Sequence, residues 1–251
     1  MVTSVCLAYR EIAPHASLTR WIECAWSSQS DDAVTGSRVP PDGCVDIIYD
    51  RSGGLRAVGT MTVEQRFDYP DGVWITGIRF RPGMAGPFLG VSPAELTDRS
   101  APLEELWSRR ARELARRLDD AKSIRDAMRC LLSNMPAPVS APNPVQQAIQ
   151  ALTAANGSAD LDNTARQANL SQRQFRRRCL EESGLTPKHL CRVLRFRHAC
   201  RVARESERLN WSELALETEY FDQSHLIRDF REFTGLTPMS VFSNTRARRP
   251  R

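Results

Sequence analysis

The pattern of apolar and polar positions divides this chain of 251 residues into a region of short runs and a region of helical periodicity. Through residue 100, short apolar runs alternate with Gly, Pro and Asp, a pattern typical of strands joined by tight turns. Three of these runs predict strands, at residues 45–49, 55–58 and 74–80. We therefore expect a small, mostly antiparallel β-domain at the start of the chain.

Between residues 102 and 133 the apolar positions change to helical spacing. One stripe comprises Leu103, Leu106, Trp107, Leu114 and Leu118, and a second comprises Ile124, Met128, Leu131 and Leu132. These stripes predict a helical hairpin, which either packs on the β-domain or forms a dimer interface.

Residues 134–144 interrupt the helical pattern with four prolines among 11 residues. Because proline is excluded from helix interiors, we expect an extended linker here. The predicted organisation is a β-rich sensor or dimerisation domain at residues 1–133, a linker at 134–144 and a second domain at 145–251.

The second domain is predicted to be helical throughout. Helix starts are marked by Pro144, Ser171 and Pro187, and helix ends by Gly184 and Gly235. We expect helices at residues 144–155, 161–168, 172–183, 187–206, 211–218, 223–234 and from residue 238 onward.

A repeat lies inside this helical region. Residues 171–187 and 222–238 align at an offset of 51 and share seven of 17 positions, including the ending Gly-Leu-Thr-Pro. Upstream of these residues the offset is 50, so the second copy is one residue longer at its turn. In the first copy, Asn169 suits a left-handed turn. A short helix, a tight turn and a capped helix form a helix-turn-helix, here present twice.

The expected fold class is therefore α+β. A β-rich N-terminal domain with a helical hairpin precedes an all-α domain, in which a long helix joins two helix-turn-helix motifs.

Charge separates the two domains as clearly as periodicity does. Residues 145–251 hold 18 Lys or Arg against 12 Asp or Glu, whereas residues 1–144 carry a net charge of −1. Lys188 is the only lysine of the second domain, and arginine suits bidentate contacts to phosphate and guanine. Charge alone also fits a solvated basic surface or an arginine-rich genome, but with two helix-turn-helix motifs it favours double-stranded DNA as the partner.

The outer faces of the two capped helices supply the candidate DNA contacts. In the first helix Arg173, Arg176 and Arg177 share one face, and an arginine can donate two hydrogen bonds to guanine. The offset of 51 places Ser224, Ile227 and Arg228 at the equivalent positions of the second helix. The full set of predicted contacts is Gln172, Arg173, Arg176, Arg177, Gln223, Ser224, His225, Ile227 and Arg228.

Four of these residues carry alternatives. Gln172 and Gln223 suit either adenine or a phosphate, and His225 either donates to a phosphate or is an ordinary surface or packed histidine. Ile227 is apolar on a polar face, which we interpret as a thymine-methyl contact; a chance exposed isoleucine is the alternative.

In the first domain, two motifs contain candidate residues for an effector pocket: Asp42, Cys44, Asp46, Arg79 and Arg81. Cys44 is either a small buried residue or a reactive thiol, and the second option leads to the rival hypothesis of a thiol enzyme or redox sensor fused to a DNA-binding module. Asp42 with Arg79 or Arg81 is expected to form a structural ion pair.

Chemistry of other kinds has no support in the motifs. The chain lacks a Ser-His-Asp pattern and a phosphate loop, and Cys6, His15 and Cys24 lack metal-ligand spacing, so we expect no enzyme, no cofactor and no metal. No apolar run approaches the roughly 18 residues of a membrane span. Without a signal-peptide pattern, and with seven cysteines interpreted as thiols, a cytoplasmic protein is expected.

Residues 145–245, and above all 220–238 (YFDQSHLIRDFREFTGLTP), resemble the DNA-binding domain of AraC/XylS-type bacterial transcription regulators. The resemblance implies a regulator that contacts RNA polymerase, forms homodimers and responds to a small-molecule effector. That family usually has glycine where this chain has Glu219, so the second turn is either strained or differently shaped. Residues 38–48, 77–83 and 88–91 resemble an uncharacterised β-rich domain found ahead of such modules, which implies a sensing or dimerisation role.

Overall fold

The computed structural model describes residues 8–30, 32–69, 71–136, 140–206 and 209–246. The N-terminal part contains a six-stranded antiparallel sheet in the order β1-β2-β7-β4-β5-β8 and a two-stranded sheet of β3 and β6. The strands are β1 Ala8–Ile12, β2 Ile22–Gln29, β3 Val34–Val39, β4 Val45–Asp50, β5 Gly54–Val58, β6 Gln65–Tyr69, β7 Trp74–Phe80 and β8 Ser100–Pro102. The three strands expected from the sequence are confirmed as β4, β5 and β7, and the other five were not predicted.

Side-chain alternation gives the large sheet two different faces. On β4, Ile47 and Tyr49 are fully buried against the helices, and Ile47 lies between Ala57 and Ile78 of the neighbouring strands. The alternate residues of β4, Asp46 among them, point to the opposite face, which is turned toward β3 and β6.

Helices cover the apolar face of the sheet. Two 3₁₀ turns, Ala16–Leu18 and Pro93–Leu96, accompany the helices α1 Gly86–Leu89, α2 Leu103–Trp107, α3 Arg109–Asp119 and α4 Ile124–Ser133. The predicted hairpin is wrong in detail, because the chain turns at Ser108 (φ 46°) and divides the first predicted helix into two. Of the two predicted roles, packing on the β-domain is the one observed, since Leu103, Leu118 and Leu131 are fully buried in the sheet's core.

The C-terminal part consists of the helices α5 Pro144–Ala154, α6 Leu161–Gln167, α7 Gln172–Ser183, α8 Pro187–Glu205, α9 Trp211–Glu217, α10 Gln223–Thr234 and α11 Pro238–Arg246. Each agrees with its predicted counterpart to within a residue or two. Ser171 and Asp222 accept from the backbone N–H three residues on, and Gly184 (φ 77°) and Gly235 (φ 67°) end the same two helices.

Two separate apolar clusters are buried, one within residues 18–135 and one within residues 145–242. In the second, Phe196 of the long helix α8 contacts Phe230 and Phe233 of α10 with ring centroids 4.8 and 5.2 Å apart. The predicted linker falls between the clusters, with residues 137–139 outside the described part of the chain.

Candidate nucleic-acid interface

The two helix-turn-helix motifs, α6–α7 and α9–α10, have the same turn geometry. Leu170 N donates to Ala165 O at 3.0 Å, and Tyr220 N donates to Ala215 O at 2.8 Å. The left-handed turn predicted at Asn169 is confirmed (φ 56°), and Glu219 has the same conformation (φ 58°). Of the two alternatives for Glu219, the second turn is therefore a left-handed one that carries a side chain, which costs free energy.

This strain makes Glu219→Gly a stabilising substitution. Glycine adopts a positive φ without the side-chain penalty, so we expect a gain of about 0.5–1 kcal/mol in the free energy of unfolding, measured by urea denaturation. Asn169→Gly is the matched control, with a smaller gain because asparagine already tolerates this backbone. A loss of stability at position 219, or an equal gain at both positions, would contradict the strain.

The extra residue of the second copy is Phe221. It stands between Tyr220, which closes the turn, and the capping residue Asp222, and its side chain is 88% exposed. Its place beside the N-terminus of α10, the end that enters a groove in helix-turn-helix proteins, adds it to the candidate contacts. The signal was present in the sequence as the change of offset from 50 to 51.

On α7, the three predicted arginines are exposed on one side of the helix, while Phe175 and Cys179 are buried on the other. Arg177 pairs with Glu181 at 3.7 Å, with both side chains more than half exposed, so the guanidinium is loosely held. Arg178 is also exposed, but one residue further along it projects about 100° around the helix from Arg177.

On α10, Ser224 and Arg228 are exposed, whereas His225 and Ile227 are partly buried. The His225 ring lies edge-on to the Tyr220 ring, with centroids 5.1 Å apart, which agrees with the alternative that His225 packs in the protein. Arg231 was missed by the sequence reasoning; it follows Arg228 by three residues, is exposed, and extends the same side of the helix.

The two predicted glutamines have partners inside their own motifs. Gln172 Nε2 donates to Asp162 Oδ1 at 2.6 Å, and Ser212 Oγ donates to Gln223 Oε1 at 2.9 Å. Asp162 and Ser212 are related by the offset of 50, so the repeat preserves this contact between the two helices of each motif. Each glutamine thus braces the second helix of its motif, α7 or α10, and we call these two helices the recognition helices. The polar atoms of each glutamine that these bonds leave over stay predicted DNA contacts.

The C-terminal end of each recognition helix is held by the N-terminal domain. For α7, Thr60 Oγ1 donates to Ser183 O at 2.7 Å, Ser92 Oγ to Glu181 O at 2.7 Å, and Thr97 Oγ1 to Gly184 O at 3.0 Å. These carbonyls are the unpaired acceptors that every helix leaves at its C-terminus.

The same arrangement recurs at α10. Arg38 Nη2 donates to Thr234 O, and Glu64 N donates to Phe233 O at 2.8 Å. Ser183 and Thr234 are equivalent at the offset of 51, so one domain binds corresponding points of both recognition helices. Their N-terminal turns, with the predicted contacts, lie at the opposite ends of the helices from this anchorage.

A cavity of about 490 Å³ lies between the two sheets of the N-terminal domain. Asp42, Cys44, Asp46 and Arg79 line it, whereas Arg81 does not; the Nε of Arg81 instead donates to Thr19 O at 2.8 Å. The predicted pocket therefore has four of its five residues together, and Arg81 is corrected to a structural contact. Any role of the four in effector binding stays a prediction.

Arg79 is the centre of the charged group in this cavity. Its Nη2 lies 3.1 Å from Asp46 Oδ2 and its Nε 3.4 Å from Asp42 Oδ2, so the predicted ion pair of Asp42 forms with Arg79. Trp26 Nε1 donates to Asp46 Oδ2 at 3.1 Å.

Cys44 is 5% exposed, which favours the buried alternative over the reactive thiol. Burial, and next the charge of Asp42, raise the pKa of the thiol well above its ordinary value, so that it stays protonated at neutral pH. Arg197 of α8 contacts both Cys44 Sγ (3.6 Å) and Glu23, and joins the two domains at this point. This environment argues against Cys44 as a nucleophile.

Within the described ranges, no three His, Cys, Asp or Glu side chains are grouped closely enough to hold a metal ion. None of the helices that the structure describes is both long and apolar enough to span a membrane.

Comparison with known proteins gives two family matches. Residues 10–102 match a domain of unknown function, DUF6597, and residues 164–244 match a helix-turn-helix domain. No curated protein sequence matches the chain.

Solved structures of ToxT from Vibrio cholerae resemble the whole chain at low identity. An apo form from strain SCE256 is 9% identical, with a TM-score of 0.43 over 96% of this chain and 97% of that one. A second ToxT structure, in a P21 crystal form, is 7% identical, with a TM-score of 0.43 over 94% and 98%. A form described as bound to an unsaturated fatty acid is 6% identical, with a TM-score of 0.41 over 86% and 92%.

Proposed function

We propose that the chain is an AraC/XylS-type DNA-binding transcription regulator, which binds two adjacent major-groove segments of one operator and adjusts that binding to a small effector in its N-terminal cavity. The helix-turn-helix pair supplies the DNA contacts. The domain of unknown function supplies the sensing part. In this proposal the protein acts in the cytoplasm, contacts RNA polymerase and forms homodimers.

The observation that carries the proposal is the common anchorage of both recognition helices. The carbonyls of Ser183 and Thr234 are held by Thr60 and Arg38 of the same domain. Helices fixed at equivalent points can present their N-terminal turns to groove segments about one helical turn, roughly 34 Å, apart.

Two of the anchoring residues, Thr60 and Arg38, lie at the wall of the cavity. Gly59 and Met61 line it while Thr60, between them, donates to the end of α7. Arg38 lines it as well and donates to the end of α10. A ligand that moves this wall would therefore act on both recognition helices at once. It can shift the equilibrium between two conformations of the wall only by the difference in its binding free energy for them.

Selection of bound sequences from a random duplex pool tests the DNA part. We expect the full chain, at about 150 mM salt, to enrich a site with two conserved blocks about 10 base pairs apart. Affinity for the selected site should fall steeply with added salt, since phosphate contacts release counterions. Enrichment of one block alone would exclude simultaneous reading by both motifs, and no enrichment would refute the proposed function.

A further inference from the structure

The cavity between the two sheets is walled by aromatic rings. Trp26 and Tyr9 stack with centroids 6.2 Å apart on the large sheet, and Phe67 and Tyr69 line the cavity from β6. Gly77 makes room for the indole, because a Cβ at this position would lie 2.8 Å from Trp26 Cε2. Rings on two sides of a cavity form a cage of the kind that binds organic cations.

Charge in the cavity is unbalanced toward the negative side. Arg38 has its own carboxylate in Glu64, and Arg56 has Asp50 at 3.1 Å. Arg79 faces two carboxylates, Asp42 and Asp46, so one negative charge beside the Trp26 ring has no cationic partner among the residues that the structure describes.

Two further charged residues near Asp42 and Asp46 do not supply the positive charge that would balance the second carboxylate. Arg197 is paired with Glu23, and Asp68 of β6 accepts from Gly36 N at 2.6 Å and adds a further carboxylate to the lining. An anionic ligand would therefore have to approach uncompensated carboxylates or displace one from Arg79, and burying an unpaired charge is costly.

Proton affinity at Asp46 agrees with this imbalance. Burial is the largest cause that raises its pKa to about 6, the charge of Arg79 lowers the pKa, and that of Asp42 raises it again. The folded protein thus retains a proton at Asp46 to a higher pH than an ordinary aspartate does, and a bound cation would take the place of that proton.

We propose, resting on the proposed effector role of this cavity, that its ligand is a small organic cation, with a protonated amine at Asp42 and Asp46 and an aromatic or apolar body between Trp26 and the rings of β6. The ammonium gains the unpaired carboxylate, and the body replaces water against the ring faces. The volume of the ligand is limited by that of the cavity, about 490 Å³.

Three indoles that differ in one group test the proposal. Tryptamine carries an ammonium, tryptophol a hydroxyl and indole-3-propionate a carboxylate, and each is titrated into the full chain at pH 7.5 by calorimetry. We expect tryptamine to bind at least about tenfold more tightly than tryptophol, and indole-3-propionate not to bind. Equal binding of all three, preference for the carboxylate, or no binding of tryptamine would each overturn the proposal.

Two variants locate the ammonium. Asp46→Asn keeps an oxygen acceptor for Trp26 and removes the charge, so tryptamine affinity should fall about tenfold or more, while Asp68→Asn, which removes the same charge from the facing wall, should lower it by less than about threefold. Wild-type affinity should also fall about tenfold from pH 7.5 to pH 5, as Asp46 becomes protonated. If Asp68→Asn weakens binding as much as Asp46→Asn, the assigned position is wrong.

Binding to the selected DNA, measured on the same samples, separates this inference from the proposed function. Sequence-specific DNA binding without a tryptamine preference refutes the ligand class alone. A tryptamine preference without specific DNA binding refutes the proposed function and leaves a cation-binding domain.

Discussion

The variants Arg173→Ala and Arg177→Ala are each expected to weaken binding to the selected DNA site by about 5- to 150-fold, and the double variant by on the order of 100-fold or more. The first range corresponds to the 1–3 kcal/mol that a bidentate arginine–guanine contact contributes. Both side chains are exposed on the outer side of α7, and among the described residues Arg177 would lose the loose pair with Glu181. The fold should therefore remain intact, with unfolding free energies within about 0.5 kcal/mol of wild type.

Arg178→Ala is the matched control for these variants. It removes the same charge from the same helix, one residue along, but from a side chain that projects about 100° away. Fluorescence anisotropy should show a small loss of affinity for Arg178→Ala that is alike on selected and scrambled DNA, because a general charge effect carries no sequence information. For Arg173→Ala and Arg177→Ala the loss should be larger on the selected site. Equal losses for the neighbours Arg177 and Arg178 would mean that α7 contributes charge and not base recognition.

The helical domain could be predicted closely because its signals are local. The cap Asp222 and the stop Gly235 bound α10, and apolar residues at helical spacing fix its buried face. The repeat added a second copy of the same signals, so each prediction was made twice. The conformation at Glu219 needed the structure, because a glutamate does not by itself indicate a positive φ.

The small sheet was missed because β3 and β6 lack the usual strand pattern. Their sequences, VTGSRV and QRFDY, alternate weakly, contain a glycine and several charges, and are mostly half-buried or exposed. The cavity could therefore not be predicted either, since half of its aromatic wall lies on β6. The four lining residues that were identified stand on or beside β4 and β7, strands that the sequence did predict.

The anchorage of the recognition helices could not have been predicted from residue types. Its acceptors are backbone carbonyls, such as those of Ser183 and Thr234, and every residue has one. Its donors, Thr60 among them, belong to residue types that do not by themselves indicate such a contact. Such contacts depend on how two domains meet, which periodicity and capping signals within one domain do not specify.

The largest effect on stability is expected from Arg192→Ala, which should lower the free energy of unfolding by about 3–5 kcal/mol, the range measured when one member of a buried ion pair is removed. Arg192 of α8 donates to Asp229 Oδ1 through Nε (3.2 Å) and Nη2 (2.7 Å), and Asp229 is 1% exposed. The guanidinium also lies 5.2 Å from the Phe233 ring and pairs with Glu232 at 2.5 Å. Without it, α10 retains a buried carboxylate that has lost its charged partner.

Two further variants distinguish that cause from a general loss of packing. Glu232→Gln should cost less than about 1 kcal/mol, because the Glu232 side chain is 44% exposed and its pair with Arg192 is screened by solvent. Replacing both members of the buried pair, as Arg192→Leu/Asp229→Leu, should recover most of the loss, since apolar residues of similar size carry no desolvation cost.

Part of the pH dependence of stability follows from Glu232. Its hydrogen bond with Arg192 lowers its pKa, so the contribution of this pair is present above the ordinary carboxylate range and is lost as the pH falls through the lowered value. Urea unfolding between pH 7 and pH 3 should therefore show that the free energy of unfolding falls less steeply with acid for Glu232→Gln than for wild type.

An Arg192→Ala variant as stable as wild type, or a double leucine variant no better than Arg192→Ala, would show that the Arg192–Asp229 pair does not hold the second recognition helix to α8.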